Sequence, residues 1–206
     1  SCRTGYPRPK EYCKLIGILD YGMGNLRSVQ KALEYLGEKA VVSGEKSTLD
    51  GCEKLILPGV GSFAAGMAEM ERTGLAAYVK ERARDTKILG ICLGMQFLLE
   101  KSFEEGETAG LGFVKGQVVR FSEGKIPQIG WNGVFGLRTP LFDGIAEGTS
   151  FYFVHSYRAD CPDGFACAKT EYFVTYPSAV YAGNVYGVQF HPEKSGEAGL
   201  KLLRNF

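Results

Sequence analysis

Hydrophobic positions in the first hundred residues alternate between two periods. Lys14–Asp20, KLIGILD, is a nearly continuous apolar run, the pattern of a strand covered on both faces. It breaks at Tyr21-Gly22-Met23-Gly24-Asn25. From about Leu26 to Leu36, Leu26, Val29, Leu33 and Leu36 then form one helical stripe. Ala40–Ser43 and Lys54–Leu57 repeat the strand pattern. The stretch from about Ala64 to Ala83 predicts a helix packed through Met67, Met70, Leu75 and Val79, with a break at Thr73-Gly74. Lys87–Cys92 reads as a further strand, and the apolar-rich run from there to Lys101 as a helix. Ser102–Gly110 is a charged loop.

Beyond it the pattern changes. Gly112–Phe121, Ile126–Trp131, Ser150–Ala159, Ala166–Thr170, Ala179–Ala182 and Val185–Phe190 read as short strands, and Ala198–Phe206 as a closing helix. Strand–helix alternation followed by a strand-rich half predicts one α/β domain over residues 14–206. Its architecture is an open, mostly parallel sheet flanked by helices, with an antiparallel extension. Residues 1–13, polar with two prolines, read as an N-terminal extension.

Composition narrows the function. With 206 residues, 45% of them hydrophobic, the chain can bury one substantial core. A formal net charge of +1 gives no support for a nucleic-acid or acidic-membrane partner. The 11 tyrosines and 13 phenylalanines are spread through the strands rather than gathered into a stacking platform. Six cysteines, at 2, 13, 52, 92, 161 and 167, form no CxxC pair, and two histidines are too few for a structural zinc site. No apolar run is long enough to span a membrane, and SCRTGYPRPKEYC lacks the apolar stretch of a secretion signal. The expectation is a cytoplasmic protein without metal or cofactor.

The chemistry gathers at strand ends. Cys92 stands at a strand-to-helix bend between Gly90 and Gly94, the construction that exposes a nucleophile above a parallel sheet. A thiolate at a helix N-terminus is favoured by aligned amides. Pro58-Gly59-Val60-Gly61 ends another strand, either as a simple turn or with amides aimed into the crevice as an oxyanion hole. A cysteine nucleophile needs an imidazole and a group to fix the ring. His191-Pro192-Glu193 supplies both in one turn; the other histidine, His155, lacks an acidic neighbour. Gly22-x-Gly24 after the first strand invites a dinucleotide reading. Arg27 occupies the third glycine position, however, and no acidic residue ends the next strand. A metal site from His155, His191, Glu193 and Asp20 has no spacing to recommend it.

Gly90-Ile91-Cys92-Leu93-Gly94-Met95-Gln96, Pro58-Gly59-Val60-Gly61 and His191-Pro192-Glu193 resemble the class I, triad-type glutamine amidotransferases. Asp20-Tyr21-Gly22-Met23-Gly24-Asn25-Leu26, Ile129-Gly130-Trp131-Asn132 and Phe153-Val154-His155-Ser156-Tyr157 are similar to the glutaminase subunits of imidazole glycerol phosphate synthase. The resemblance runs from about Lys14 to Phe206. It implies a Cys92–His191–Glu193 triad that hydrolyses L-glutamine, with oxyanion donors from Leu93 and the Gly59-Val60-Gly61 segment. It further implies that Gln96, His155, Ser156 and Tyr157 hold the glutamine, with Phe63 lining the same cleft.

The implied partner is a (β/α)8-barrel cyclase subunit that receives the ammonia for histidine biosynthesis. Asn25, Gln128, Trp131, Asn132 and Lys194 would lie at that interface. Relatives usually carry a histidine at the position of Gln128, and a glutamine there cannot titrate. Two rivals stand beside this reading. One is a glutaminase serving anthranilate, aminodeoxychorismate, carbamoyl phosphate or pyridoxal phosphate synthesis. The other is a non-catalytic binding protein on the same fold, which would need none of the triad.

Overall fold

The computed structural model describes residues 15–206. Lys14 and the expected extension 1–13, with Cys2 and Cys13, lie outside the described residues. The first five elements that matter alternate as expected: β1 Leu15–Leu19, α1 Leu26–Tyr35, β2 Lys39–Ser43, a one-turn α2 Lys46–Leu49, and β3 Lys54–Gly59. Two helices follow, α3 Phe63–Arg72 and α4 Leu75–Arg82, then β4 Lys87–Cys92. The break between α3 and α4 falls at Gly74, which takes φ +72°, a left-handed conformation that suits glycine.

The C-terminal half adds α5 Leu93–Gln96, β5 Leu99–Ser102, β6 Thr108–Ala109, β7 Val114–Arg120, β8 Gln128–Gly133, β9 Ser150–His155 and β10 Tyr157–Asp160. It closes with β11 Ala166–Tyr172, β12 Val174–Ala182, β13 Val185–Val188 and α6 Gly196–Asn205. The main sheet has the order β11-β12-β13-β4-β3-β1-β2. β13, β4, β3, β1 and β2 run parallel, and β12 and β11 extend the edge antiparallel. This is the predicted architecture.

β1, β3 and β4 are buried along nearly their whole length. Their unbroken apolar runs therefore face helices on both sides rather than alternating. Val29 and Leu33 of α1 join Leu202 and Leu203 of α6 in one core, and Met67, Met70, Leu75 and Val79 of α3 and α4 lie in the other. Among the described residues no helix is long and apolar enough to cross a membrane.

Three expectations change. The helix expected after Cys92 lasts only one turn, α5, before the chain enters β5 and pairs with β7. Every residue from Leu93 to Leu99 is buried, so the run has no polar face, and periodicity alone does not separate a buried helix from a buried strand. The expected strand Ser150–Ala159 divides at Ser156. β9 pairs with β8 as a two-stranded sheet, while β10 joins β7 in a four-stranded sheet with β5 and β6. The loop Ser102–Gly110 also contributes β6.

Candidate active site

β13, β4 and β3 are adjacent and parallel, so their C-terminal ends meet. Ligands of open α/β sheets bind outside such ends. Gly59 is in register with Cys92 and Val188 with Ile91, and three residues past Val188 comes His191. Residues distant in sequence thus converge on one cleft of about 320 Å³, bordered by Val60, Gly61, Cys92, Leu93, Gln96, Glu104, Val154, His155, Ser156, Tyr157, His191 and Lys194.

Cys92 closes β4 at φ +55° and ψ −110°. A non-glycine residue held there costs about 1–3 kcal/mol. The surroundings enforce it. A Cβ at Gly94 would strike the Leu57 carbonyl, and one at Gly90 the Gly94 carbonyl, so both glycines let α5 press onto β3 and β4. The bend leaves the thiol at the cleft. Beside it, Tyr21 Oη donates to the Pro58 carbonyl at 2.7 Å and steadies the base of the Pro58–Gly61 loop. Val60 and Gly61 border the cleft; Gly59 lies buried beneath. The turn after β1 thus places Tyr21 against this loop, a use for it that the dinucleotide reading did not contain.

His191 is fixed from both ends. Its backbone N–H donates to Tyr152 of β9 at 2.9 Å, and Ser195 Oγ donates to its carbonyl at 2.6 Å. Its Nδ1 faces Glu193 Oε1 at 2.8 Å, with both side chains almost wholly buried. A carboxylate accepts, so Nδ1 carries the proton. Burial pulls the His191 pKa down. Hydrogen bonding to Cys92 and to Glu193, reinforced by their charges, outweighs it and raises the pKa to about 10. The ring is therefore held between the sulfur and the carboxylate.

His155 is as enclosed as His191 but differently partnered. Its Nδ1 donates to the Tyr157 carbonyl at 2.7 Å, and its Nε2 lies 3.2 Å from Tyr176 Oη. Burial, opposed by the Tyr157 carbonyl and aided by the His191 charge, lowers its pKa to about 4. The ring is neutral near pH 7, so Nε2 accepts from Tyr176. Gln96 donates from Nε2 to the Tyr157 carbonyl and to Gln189 Oε1, each at 3.1 Å.

The structure gathers Cys92, Leu93, Val60, Gly61, Gln96, His155, Ser156, Tyr157, His191 and Lys194 at the cleft, with Gly59 and Glu193 directly behind it. Two expected placements are corrected. Phe63 is fully buried in edge contact with Phe97, 5.2 Å between ring centroids, because it opens α3 with its side chain in the core. Gln128 is also buried: β8 turns it inward to Tyr176, whose hydroxyl lies 2.8 Å from Gln128 Oε1. It therefore offers no surface contact.

Ile129 and Trp131 take the outward face of β8, and Trp131 meets the Tyr152 ring edge-on. Lys194 Nζ lies 5.9 Å from the centre of that ring. Asn132 spends its amide on the Glu171 carbonyl and the Gly133 N–H. Asn25 precedes α1, partly buried and without a side-chain cap.

Glu104 was missed. It borders the cleft, and its Oε2 accepts from the Phe63 N–H at 2.8 Å. The only signal was the acidic cluster in the loop after Lys101.

The family model for glutamine amidotransferase class-I matches residues 17–206. The chain belongs to the class-I glutamine amidotransferases. It is 49% identical over 196 residues to imidazole glycerol phosphate synthase subunit HisH of Caldanaerobacter subterraneus subsp. tengcongensis, covering 93% of this chain and 97% of the relative. It is 45% identical to the subunit of the same name from Bacillus cereus, covering 93% of each chain. At such identity over nearly full length, the chain falls in the HisH group of amidotransferases. Among solved structures, PurLQS from Thermotoga maritima superposes with a TM-score of 0.74 at 25% identity, over 93% of this chain and 96% of that one. The fold of this chain is therefore shared by a protein whose sequence has diverged from it.

Proposed function

We propose that this amidotransferase hydrolyses L-glutamine at Cys92 and delivers the ammonia to a (β/α)8-barrel cyclase subunit that forms imidazole glycerol phosphate. The observation that carries the reading is His191 lying between the Cys92 sulfur and Glu193 at the mouth of one cleft. The Cys92 thiolate, its proton already on His191 Nε2, attacks the side-chain amide carbon of glutamine. The backbone N–H of Leu93 and an amide of the Gly59–Gly61 segment receive the oxyanion. His191 returns the proton to the departing nitrogen, ammonia leaves, and a glutamyl thioester remains. His191 then takes a proton from water, which attacks the thioester and releases glutamate.

The cleft also suits the rest of the substrate. Glu104, its Oε2 already on Phe63, is the carboxylate for the α-ammonium group. Both N–H groups of Gln96 are engaged, so its Oε1 is left to accept from glutamine. Ser156, at the break between β9 and β10, borders the same space, while its carbonyl accepts from the Phe121 N–H at 3.1 Å.

The exposed face of Ile129 and Trp131, continued by Lys194 over Tyr152, lies beside the cleft and suits docking by the barrel. The HisH relatives favour this partner over one for anthranilate, aminodeoxychorismate or pyridoxal phosphate synthesis. The test is ammonia release by the chain alone and with a cyclase barrel holding its nucleotide. Glutamine turnover is expected to rise on assembly. In Cys92→Ala it should fall by at least about a thousandfold, while synthesis from added ammonia survives. Loss of both activities together would point to a folding or assembly role for Cys92.

A further inference from the structure

Gln189 is fully buried and lies behind the cleft rather than in it. Its Nε2 is 3.7 Å from Cys92 Sγ, and its Oε1 accepts from Gln96 Nε2 at 3.1 Å. Glutamine amides are ambiguous end for end, but here the surroundings fix the direction. The Tyr157 carbonyl only accepts, so the Gln96 atom facing it at 3.1 Å is nitrogen. That nitrogen's second N–H meets Gln189, which must answer with its oxygen. The other end of the Gln189 amide, turned to the sulfur, is then its NH2. Donors therefore run in one direction, from Gln189 to Cys92 and from Gln96 to both Gln189 and the Tyr157 carbonyl, with His155 Nδ1 donating to the same carbonyl.

We propose that Gln189 is a dedicated hydrogen-bond donor to the Cys92 sulfur, holding it as a thiolate in the attacking position, and that Gln96 and the Tyr157 carbonyl exist in part to keep that amide the right way round. This rests on Cys92 being the nucleophile. α5 is a single turn, so the long-helix dipole expected from the sequence contributes little to holding the negative sulfur. His191 approaches from one side, and Gln189 supplies a donor from inside the protein, where water does not compete. A donor to an ionised acceptor is worth about twice a neutral one.

The test is the pH dependence of Cys92 alkylation by iodoacetamide, together with glutamine kinetics, in the full chain. Gln189→Met keeps length and removes both amide groups. Its alkylation midpoint is expected to move up by about one pH unit, and kcat to fall about tenfold, with KM for glutamine within about twofold. Gln189→Glu keeps an acceptor for Gln96 but turns a carboxylate on the sulfur, so its midpoint should move further than that of Gln189→Met. Midpoints unchanged in folded variants, or a change confined to KM, would overturn the proposal.

Should either substitution unfold the protein, the wild type decides. The Gln189 side-chain amide proton is expected to shift in NMR when Cys92 is alkylated, and no shift would count against it. An alkylation pattern in which Cys92 is unreactive, or a Cys92→Ala protein that still hydrolyses glutamine, would instead remove the nucleophile assignment beneath it.

Discussion

The two histidines of this chain border the same cleft and are both nearly inaccessible, at 2% for His191 and 6% for His155. Their environments push them in opposite directions, His191 up to about 10 and His155 down to about 4. Burial alone would lower both. The difference is the partners: the Cys92 sulfur and, at Nδ1, the Glu193 carboxylate for His191, but a neutral carbonyl at Nδ1 for His155. One ring holds its second proton beside a sulfur. The other is a neutral strut whose two nitrogens orient the backbone and side chains that border the cleft. Titratable groups pushed apart in this way mark a division of roles.

The strongest way to break that contrast is to neutralise the acid beside His191. Glu193→Gln keeps the shape of the pair but withdraws the charge and allows the wrong tautomer. Glutamine turnover is expected to drop by about 10²- to 10⁴-fold, and the His191 titration seen by imidazole NMR should move down. The His155 titration should move little, because its main determinant is burial. Equal shifts in both rings would mean a general rearrangement instead.

The second way is stability against pH, where the two histidines have opposite signs. His191 has a folded pKa above the unfolded value near 6.5. The stability that it contributes is complete below about pH 6.5 and is lost as pH rises toward about 10. His155 has a folded pKa below the unfolded value, so its contribution is complete above about pH 6.5 and is lost as pH falls toward about 4. The acid loss is roughly 3 kcal/mol by linkage. Urea unfolding across pH should therefore show His155→Asn flattening the acid limb and His191→Gln flattening the alkaline limb. A variant that flattens the other limb would contradict the assignment.

The same contrast explains what the sequence revealed. β1, β3 and β4 were legible because strands covered on both faces need unbroken apolar runs; β3 ends at Gly59, β4 at the Cys92 bend, and β1 just before the Tyr21-Gly22 turn. The gathering of Cys92, His191 and Glu193 was legible because these rare residue types stand at or just past the ends of adjacent strands. The short α5 was not, since Leu93–Leu99 is buried on every side and carries no period. Gln128 was misplaced for a physical reason. β8 carries Ile129 and Trp131 outward and Gln128 inward, the reverse of the usual alternation, so a rule that sends polar residues to solvent fails there. Gln189 gave no signal in sequence; only the proximity of its amide to the sulfur, ninety-seven positions away, distinguishes it.

The mildest perturbation sharpens the comparison most finely, because it touches His155 through two intermediates. His155 Nδ1 carries the proton given to Tyr157, so the Tyr176 hydroxyl must donate to His155 Nε2. Gln128 must then donate to Tyr176 rather than accept from it, and turning its amide over achieves this. The same turn removes a buried nitrogen that otherwise has no partner. Gln128→Leu deletes that donor and leaves the Tyr176 oxygen short of one hydrogen bond, at a cost of about 1–2 kcal/mol in urea unfolding. Glutamine turnover by the chain alone should change less than about threefold, because His155 retains both of its own partners. Gln128→Glu presents only acceptors while ionised, so Tyr176 must choose between it and His155. That variant is expected to be less stable at pH 8 than at pH 5, whereas Gln128→Leu should show no such added pH dependence. A Gln128→Glu protein as stable as the wild type at pH 8 would mean that the amide accepts from Tyr176 after all, and that His155 is held by its Tyr157 contact alone.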